Sequence, residues 1–82
     1  MTAIHIGAAG KLSQIFRLVF ELPDDADPSK IRRINEGRWD SLANVTLVAA
    51  LESEFGITLD AQEIERLTSY ESALLLVREK TL

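Results

Sequence analysis

A chain of 82 residues that is 46% hydrophobic and 27% charged forms one small globular domain, and with no cysteine it has no disulfide framework, thiolate metal site or cysteine nucleophile. Its net charge of −4 lies in the second half, since residues 1–40 carry six basic and six acidic side chains and residues 41–82 carry three and seven. An acidic surface repels phosphate backbones and anionic lipid, no run approaches a membrane span, and no signal-peptide pattern opens the chain; nucleic acid and membrane partners are therefore not expected, and a cytoplasmic location is.

Residues 1–8 read as a loosely ordered lead-in to a single domain that occupies 1–82. Leu12, Ile15, Phe16, Val19 and Phe20 then keep the i, i+3, i+4, i+7, i+8 spacing of one buried helical face, which predicts a first helix over about 9–21. Pro23 ends it, because proline disfavours helical geometry in the residue before it. Residues 24–38 form a long polar connection. Within it, Asp27-Pro28 has the chemistry of an N-cap followed by proline at the first helical position and predicts a short turn near 28–31. Ile31 and Ile34 are spaced to face the core together, and Gly37 is read as permitting the sharp turn ahead of Trp39.

A second helix is predicted over about 42–55. Leu42, Val45, Val48, Leu51 and Phe55 define its apolar face, and Leu47 widens it. Gly56 ends it in the position of a left-handed cap. Asp60 and Glu63 form a capping box for a short third helix to about Leu67. Thr68 and Glu71 repeat the device for a fourth helix over about 69–80, with Tyr70, Ala73, Leu74 and Val77 on its core face. Arg78 and Lys80 suit the negative end of that helix dipole. The expected fold is all-α, a four-helix bundle with a long connection between helices 1 and 2 and a short helix 3.

Ser41 stands at the start of the second helix. Unpaired backbone N–H groups and partial positive charge gather there, a setting that favours a phosphate attached to the hydroxyl. The segment Trp39-Asp40-Ser41-Leu42, followed by Leu47-Val48-Ala49-Ala50-Leu51-Glu52-Ser53-Glu54-Phe55-Gly56-Ile57, resembles the acyl carrier protein family. The resemblance continues through Asp60, Glu63, Ile64, Leu67 and Thr68. It implies that Ser41 receives 4′-phosphopantetheine through a phosphodiester and that Asp40 and Leu42 belong to the attachment motif. It further implies that Leu42, Val45, Ala49 and Glu52, with Arg38 ahead of the helix, contact partner enzymes. Those partners are a phosphopantetheinyl transferase and the enzymes that load and transfer an acyl thioester. The protein would be a monomeric shuttle and not an enzyme.

Two departures from the family pattern bear on the pathway. Positions that form an acidic outer face in many fatty-acid carriers hold Ala43, Thr46 and Ser53 here, with Glu52 and Glu54 remaining. Lys30, Arg32, Arg33 and Arg38 instead place positive charge ahead of the serine. A carrier of a specialised pathway is the expectation. An aminoacyl or peptidyl carrier, or an unmodified helical interaction module, is the alternative.

Each residue also has a plainer reading. Ser41 or Asp40 serves as an ordinary N-cap, worth about 1 kcal/mol. Trp39 packs the connection against the first helix. His5 has no nearby partner, and Asp24, Asp25 and Asp27 lack calcium-loop spacing, so they form a solvated turn. Arg32 and Arg33 form a solvated face. Ala49, Ala50 and Ala73 mark close helix approach or leave room for an acyl chain lined by Val48, Leu51, Phe55, Leu59, Ile64, Leu67 and Leu76, which are read first as core. Leu75 points away from the core.

Overall fold

The computed structural model describes residues 7–81, so residues 1–6 of the expected 1–8 lead-in, His5 included, lie outside the described residues, while Ala8 already belongs to the first helix. The described chain forms four helices with two 3-10 turns in the connection after the first. These are α1 (Ala8–Val19), the turns Pro28–Lys30 and Arg33–Asn35, then α2 (Ser41–Phe55), α3 (Ala61–Glu65) and α4 (Tyr70–Lys80). No β-strand occurs among the described residues, and the all-α bundle of acyl-carrier type expected from the sequence is the fold observed. No helix of the described residues is long and apolar enough to cross a membrane.

The first 3-10 turn and helices α2, α3 and α4 start where local side chains satisfy free N–H groups, whereas α1 begins after Gly7 with no side-chain cap. Asp27 accepts from the Ser29 backbone, Asp40 from Ala43, Asp60 from Glu63 and Ser69 from Ser72. The last pair differs from expectation: the box at the start of α4 is closed by Ser69 and Ser72, one residue beyond Thr68 and Glu71. Serine at that position serves as well, because its hydroxyl accepts from the Ser69 N–H at 3.1 Å and gives its own proton to the Ser69 carbonyl. Gly56 ends α2 at φ 64°, ψ 38°, the left-handed geometry that glycine tolerates without a Cβ penalty.

One core joins the elements. Leu12, Ile15, Phe16 and Phe20 of the α1 segment meet Leu47 and Leu51 of α2, Leu59 and Leu67 around α3, and Tyr70, Ala73, Leu76 and Val77 of α4. The predicted α1 stripe is buried as a set, with Val19 at its margin. On α4, Leu76 takes a buried place that the sequence pattern gave to Leu74, which is half-buried, and Leu75 is exposed as expected.

Three expectations are corrected. α2 buries Leu47 and Leu51, whereas Leu42 is 75% and Val45 65% exposed. Apolar residues surround this helix, so periodicity alone could not fix which stripe faces inward. Ile34 is 86% exposed, because the second 3-10 turn rotates it away from Ile31, which packs on the core. Gly37 has no left-handed backbone angle and open space where a Cβ would sit, so the turn there does not need glycine.

α1 ends earlier than Pro23 alone would require. Glu21 turns the chain at φ 49°, an uncommon angle for a residue with a Cβ. The Leu22 N–H donates to the Arg17 carbonyl at 3.0 Å, closing the end of the helix.

Two measurements test this fold. Leu47→Ala should lower stability by about 2–5 kcal/mol, as a buried leucine does, whereas Leu42→Ala should stay within about 0.5 kcal/mol; urea denaturation of both variants distinguishes the buried from the outer stripe of α2. Glu63 has its carboxyl held below the ordinary glutamate range, chiefly by the Asp60 backbone N–H and then by Lys80. Its contribution is therefore present above the unfolded value and lost as pH falls through the depressed folded value. Glu63→Gln should consequently show a shallower loss of urea midpoint on acidification than the unsubstituted protein.

Candidate functional site

The site is built on the first turn of α2. Asp40 sits in extended geometry before the helix, and its Oδ1 accepts from the Ala43 N–H at 2.8 Å. Ser41 is the first helical residue and is exposed. The capping role that the sequence left open between these two residues thus belongs to Asp40, which frees the serine hydroxyl of that duty. Leu42, Val45, Thr46 and Ala49 are exposed at i, i+3, i+4 and i+7, so they form one outward ridge running away from Ser41.

Trp39 fixes how the chain enters this helix. The indole is 5% exposed, meets Phe16 edge-on with centroids 5.6 Å apart, and lies 4.9 Å from Phe20. This is the packing role expected of it. Its Nε1–H donates to Asn44 Oδ1 at 2.9 Å. Asn44 Oδ1 also accepts from Arg33 Nη2 at 3.2 Å, and the Arg33 guanidinium lies 5.4 Å from the Trp39 ring centroid. Arg33 Nη2 further donates to the Leu67 carbonyl, which ties the connection to the end of α3.

Arg33, Trp39, Asp40, Ser41, Asn44 and Val45 line an open cleft of about 430 Å3. Sequence reasoning missed Asn44. The signal available was a short polar side chain inside an apolar helical run, five residues after the single tryptophan, where asparagine has poor helix propensity and needs another reason to be present.

The remaining candidate residues are placed apart from the cleft's centre. Arg38 Nη1 donates to the Phe20 and Glu21 carbonyls at 3.0 and 3.1 Å, so its charge faces the end of α1. Glu52 is half-buried, and its Oε2 accepts from the Leu59 N–H at 2.9 Å, across the turn after α2. Lys30 and Arg32 are exposed on the connection. The Asp24–Asp27 region is an exposed turn, in which hydrogen bonds from the Ser29 hydroxyl and backbone hold the Asp27 carboxyl below its ordinary range. Among the described residues no group of three or more His, Cys, Asp or Glu side chains could hold a metal ion.

The residues proposed to line an acyl space instead fill the core: Leu51, Leu59, Leu67 and Leu76 are buried, with Val48, Phe55 and Ile64 packed on them. Ala73 is buried where α4 meets the core, Ala50 is half-buried and Ala49 is exposed.

The described residues form a small all-α domain with an exposed serine at a capped helix start, and curated relatives share part of its sequence. The chain is 46% identical over 41 residues to an acyl carrier protein of Petrotoga mobilis, covering 50% of this chain and 48% of that protein. It is 32% identical over 69 residues to acyl carrier protein 5, chloroplastic, of Arabidopsis thaliana, covering 84% of this chain and 50% of the relative. A similar stretch is 28% identical to acyl carrier protein 4, chloroplastic, of Cuphea lanceolata. No family model matches the chain. The chain spans about half the length of the curated relatives it matches. These relatives and the helical fold support the assignment of this chain to the acyl carrier protein family, whose members are carriers rather than enzymes.

Asn44→Ala leaves the buried Trp39 N–H without its partner, a loss that should cost about 1–3 kcal/mol. Because Trp39 is the single tryptophan, intrinsic fluorescence reports directly on this site. A lower urea midpoint with a changed emission maximum is the expected result.

Proposed function

We propose that this protein is an acyl carrier that receives 4′-phosphopantetheine on Ser41 and moves an acyl group between partner enzymes. The observation that carries the reading is the division of labour at the start of α2, where Asp40 caps the helix and Ser41 is exposed beside it. The residues fit the group. The hydroxyl stands on a rigid element, the helix end favours a phosphate oxygen, and the cleft beside it is open.

When attached, the arm supplies a terminal thiol that can hold an acyl group as a thioester. The chain's own residues bind and present. Asp40 fixes the helix start, Trp39 and Asn44 fix the approach to it, and Ser41 provides the attachment oxygen. Leu42, Val45 and Ala49 form the exposed ridge on which partner enzymes dock. The catalysis belongs to those partners, so the carrier needs no general base of its own.

A specialised pathway is supported by the outer surface of α2. Thr46 and Ser53 are exposed where an acidic face is expected of a general fatty-acid carrier, and the Glu52 carboxylate is engaged by the Leu59 N–H. Partners that read this helix meet an apolar ridge with few charges.

Incubation with a broad-range phosphopantetheinyl transferase and coenzyme A, followed by intact mass, tests the assignment. The unsubstituted protein should gain one arm. Ser41→Ala should gain none while its thermal midpoint stays nearly unchanged, because the cap is Asp40. Absence of any mass gain, under conditions that modify a control carrier, would leave a helical interaction module as the better account.

A further inference from the structure

The cleft beside Ser41 contains one basic side chain, Arg33, together with the Asp40 carboxylate. A phosphodiester on Ser41 would add a second negative charge to this open cleft. Arg33 is the group placed to offset both. Its backbone N–H donates to the Thr68 carbonyl at 2.8 Å, and the neighbouring Arg32 bridges to Ser69, so the segment that carries it is pinned to the α3–α4 junction. Its guanidinium rests over the Trp39 ring and donates to Asn44 Oδ1 and the Leu67 carbonyl.

Both of those hydrogen bonds use Nη2. A guanidinium has five N–H donors in a planar fork, so Nη1 and Nε remain to meet an anion. Among the described residues no carboxylate forms a direct ion pair with Arg33; the ion pairs there are Arg66–Glu79 and Lys80–Glu63. A cation held over an indole face, with its plane set by two carbonyl-type oxygens, is oriented before any ligand arrives.

We propose that Arg33 is an anion-binding residue that receives the phosphodiester carried by Ser41 and holds the root of the arm in the cleft. The proposal rests on the reading of Ser41 as the attachment site. It gives Arg33 a role that the solvated-face reading did not, and it separates Arg33 from Arg38, whose guanidinium faces the carbonyls at the end of α1.

Phosphorus NMR of the arm-loaded full chain tests it, after intact mass has confirmed loading. The phosphorus resonance of the folded protein should be displaced from its position in the urea-unfolded protein. Arg33→Gln should abolish most of that displacement, Arg33→Lys should keep part of it, and Arg32→Gln should keep nearly all. In the unsubstituted protein the Arg33 Nε–H resonance should shift between the unloaded and loaded forms, a measurement that needs no variant to fold. An unchanged Nε–H resonance on loading, or the same phosphorus displacement in Arg33→Gln as in the unsubstituted protein, would overturn the role of Arg33 while leaving the carrier reading intact. Failure of the unsubstituted protein to load would overturn both.

Discussion

Phe16 is the contact on which the arrangement of the domain turns. Its ring lies 5.3 Å from Phe20, 5.6 Å from Trp39 and 5.2 Å from Tyr70, centroid to centroid. Those partners come from the end of α1, the residue two before Ser41, and the first residue of α4. Tilted and edge-on aromatic pairs contribute about 0.5–1.5 kcal/mol each beyond the area they bury. A single side chain therefore sets where α2 begins relative to both neighbours. The Tyr70 hydroxyl extends the same junction outward, donating to the Ala9 carbonyl at 2.9 Å and lying 2.9 Å from the Ser13 hydroxyl.

A polar clasp complements this apolar hub. The Tyr70 N–H donates to the Ile31 carbonyl and the Arg33 N–H to the Thr68 carbonyl, which makes the connection after α1 a partner of the α3–α4 junction. Backbone groups in an irregular segment need such partners when they leave water. Asn44 then joins the clasp to the hub, since one carbonyl oxygen accepts from both the Trp39 indole and the Arg33 guanidinium. Local caps start α2, α3 and α4, and long-range contacts decide how the helices are placed.

The parts legible in the sequence were those encoded by near neighbours. The α1 stripe, the Asp27 and Asp60 caps, the left-handed Gly56 and the start of α2 all depend on residues within one or two turns of one another. Much of what failed depended on distant chain. The inward face of α2 is chosen by where α1 and α4 lie, so Leu47 won over Leu42 although both fit an apolar pattern. Ile34 turns outward because Arg32, on the turn's other side, bridges to Ser69, a pairing that nothing in the local spacing announces. The helix-start position of Ser41 and the packing role of Trp39 were legible from local pattern. Asn44 and Arg33 were not, because their meaning lies in a shared oxygen atom between residues eleven positions apart.

The hold of Arg38 on the Phe20 and Glu21 carbonyls makes the connection a strap buckled at two places. One buckle lies just ahead of α2, and the other is the stretch from Ile31 to Arg33 against the α3–α4 junction. Slack can be added at Asp24–Asp25, upstream of both, without drawing on the serine, because lengthening a flexible loop adds little entropic cost, about 0.6 kcal/mol for each doubling. A residue inserted between Arg38 and Ser41 has no such freedom: it would unseat the indole or the cap. Length variation in this domain is therefore sorted by position, tolerated early in the strap and forbidden in its last three residues.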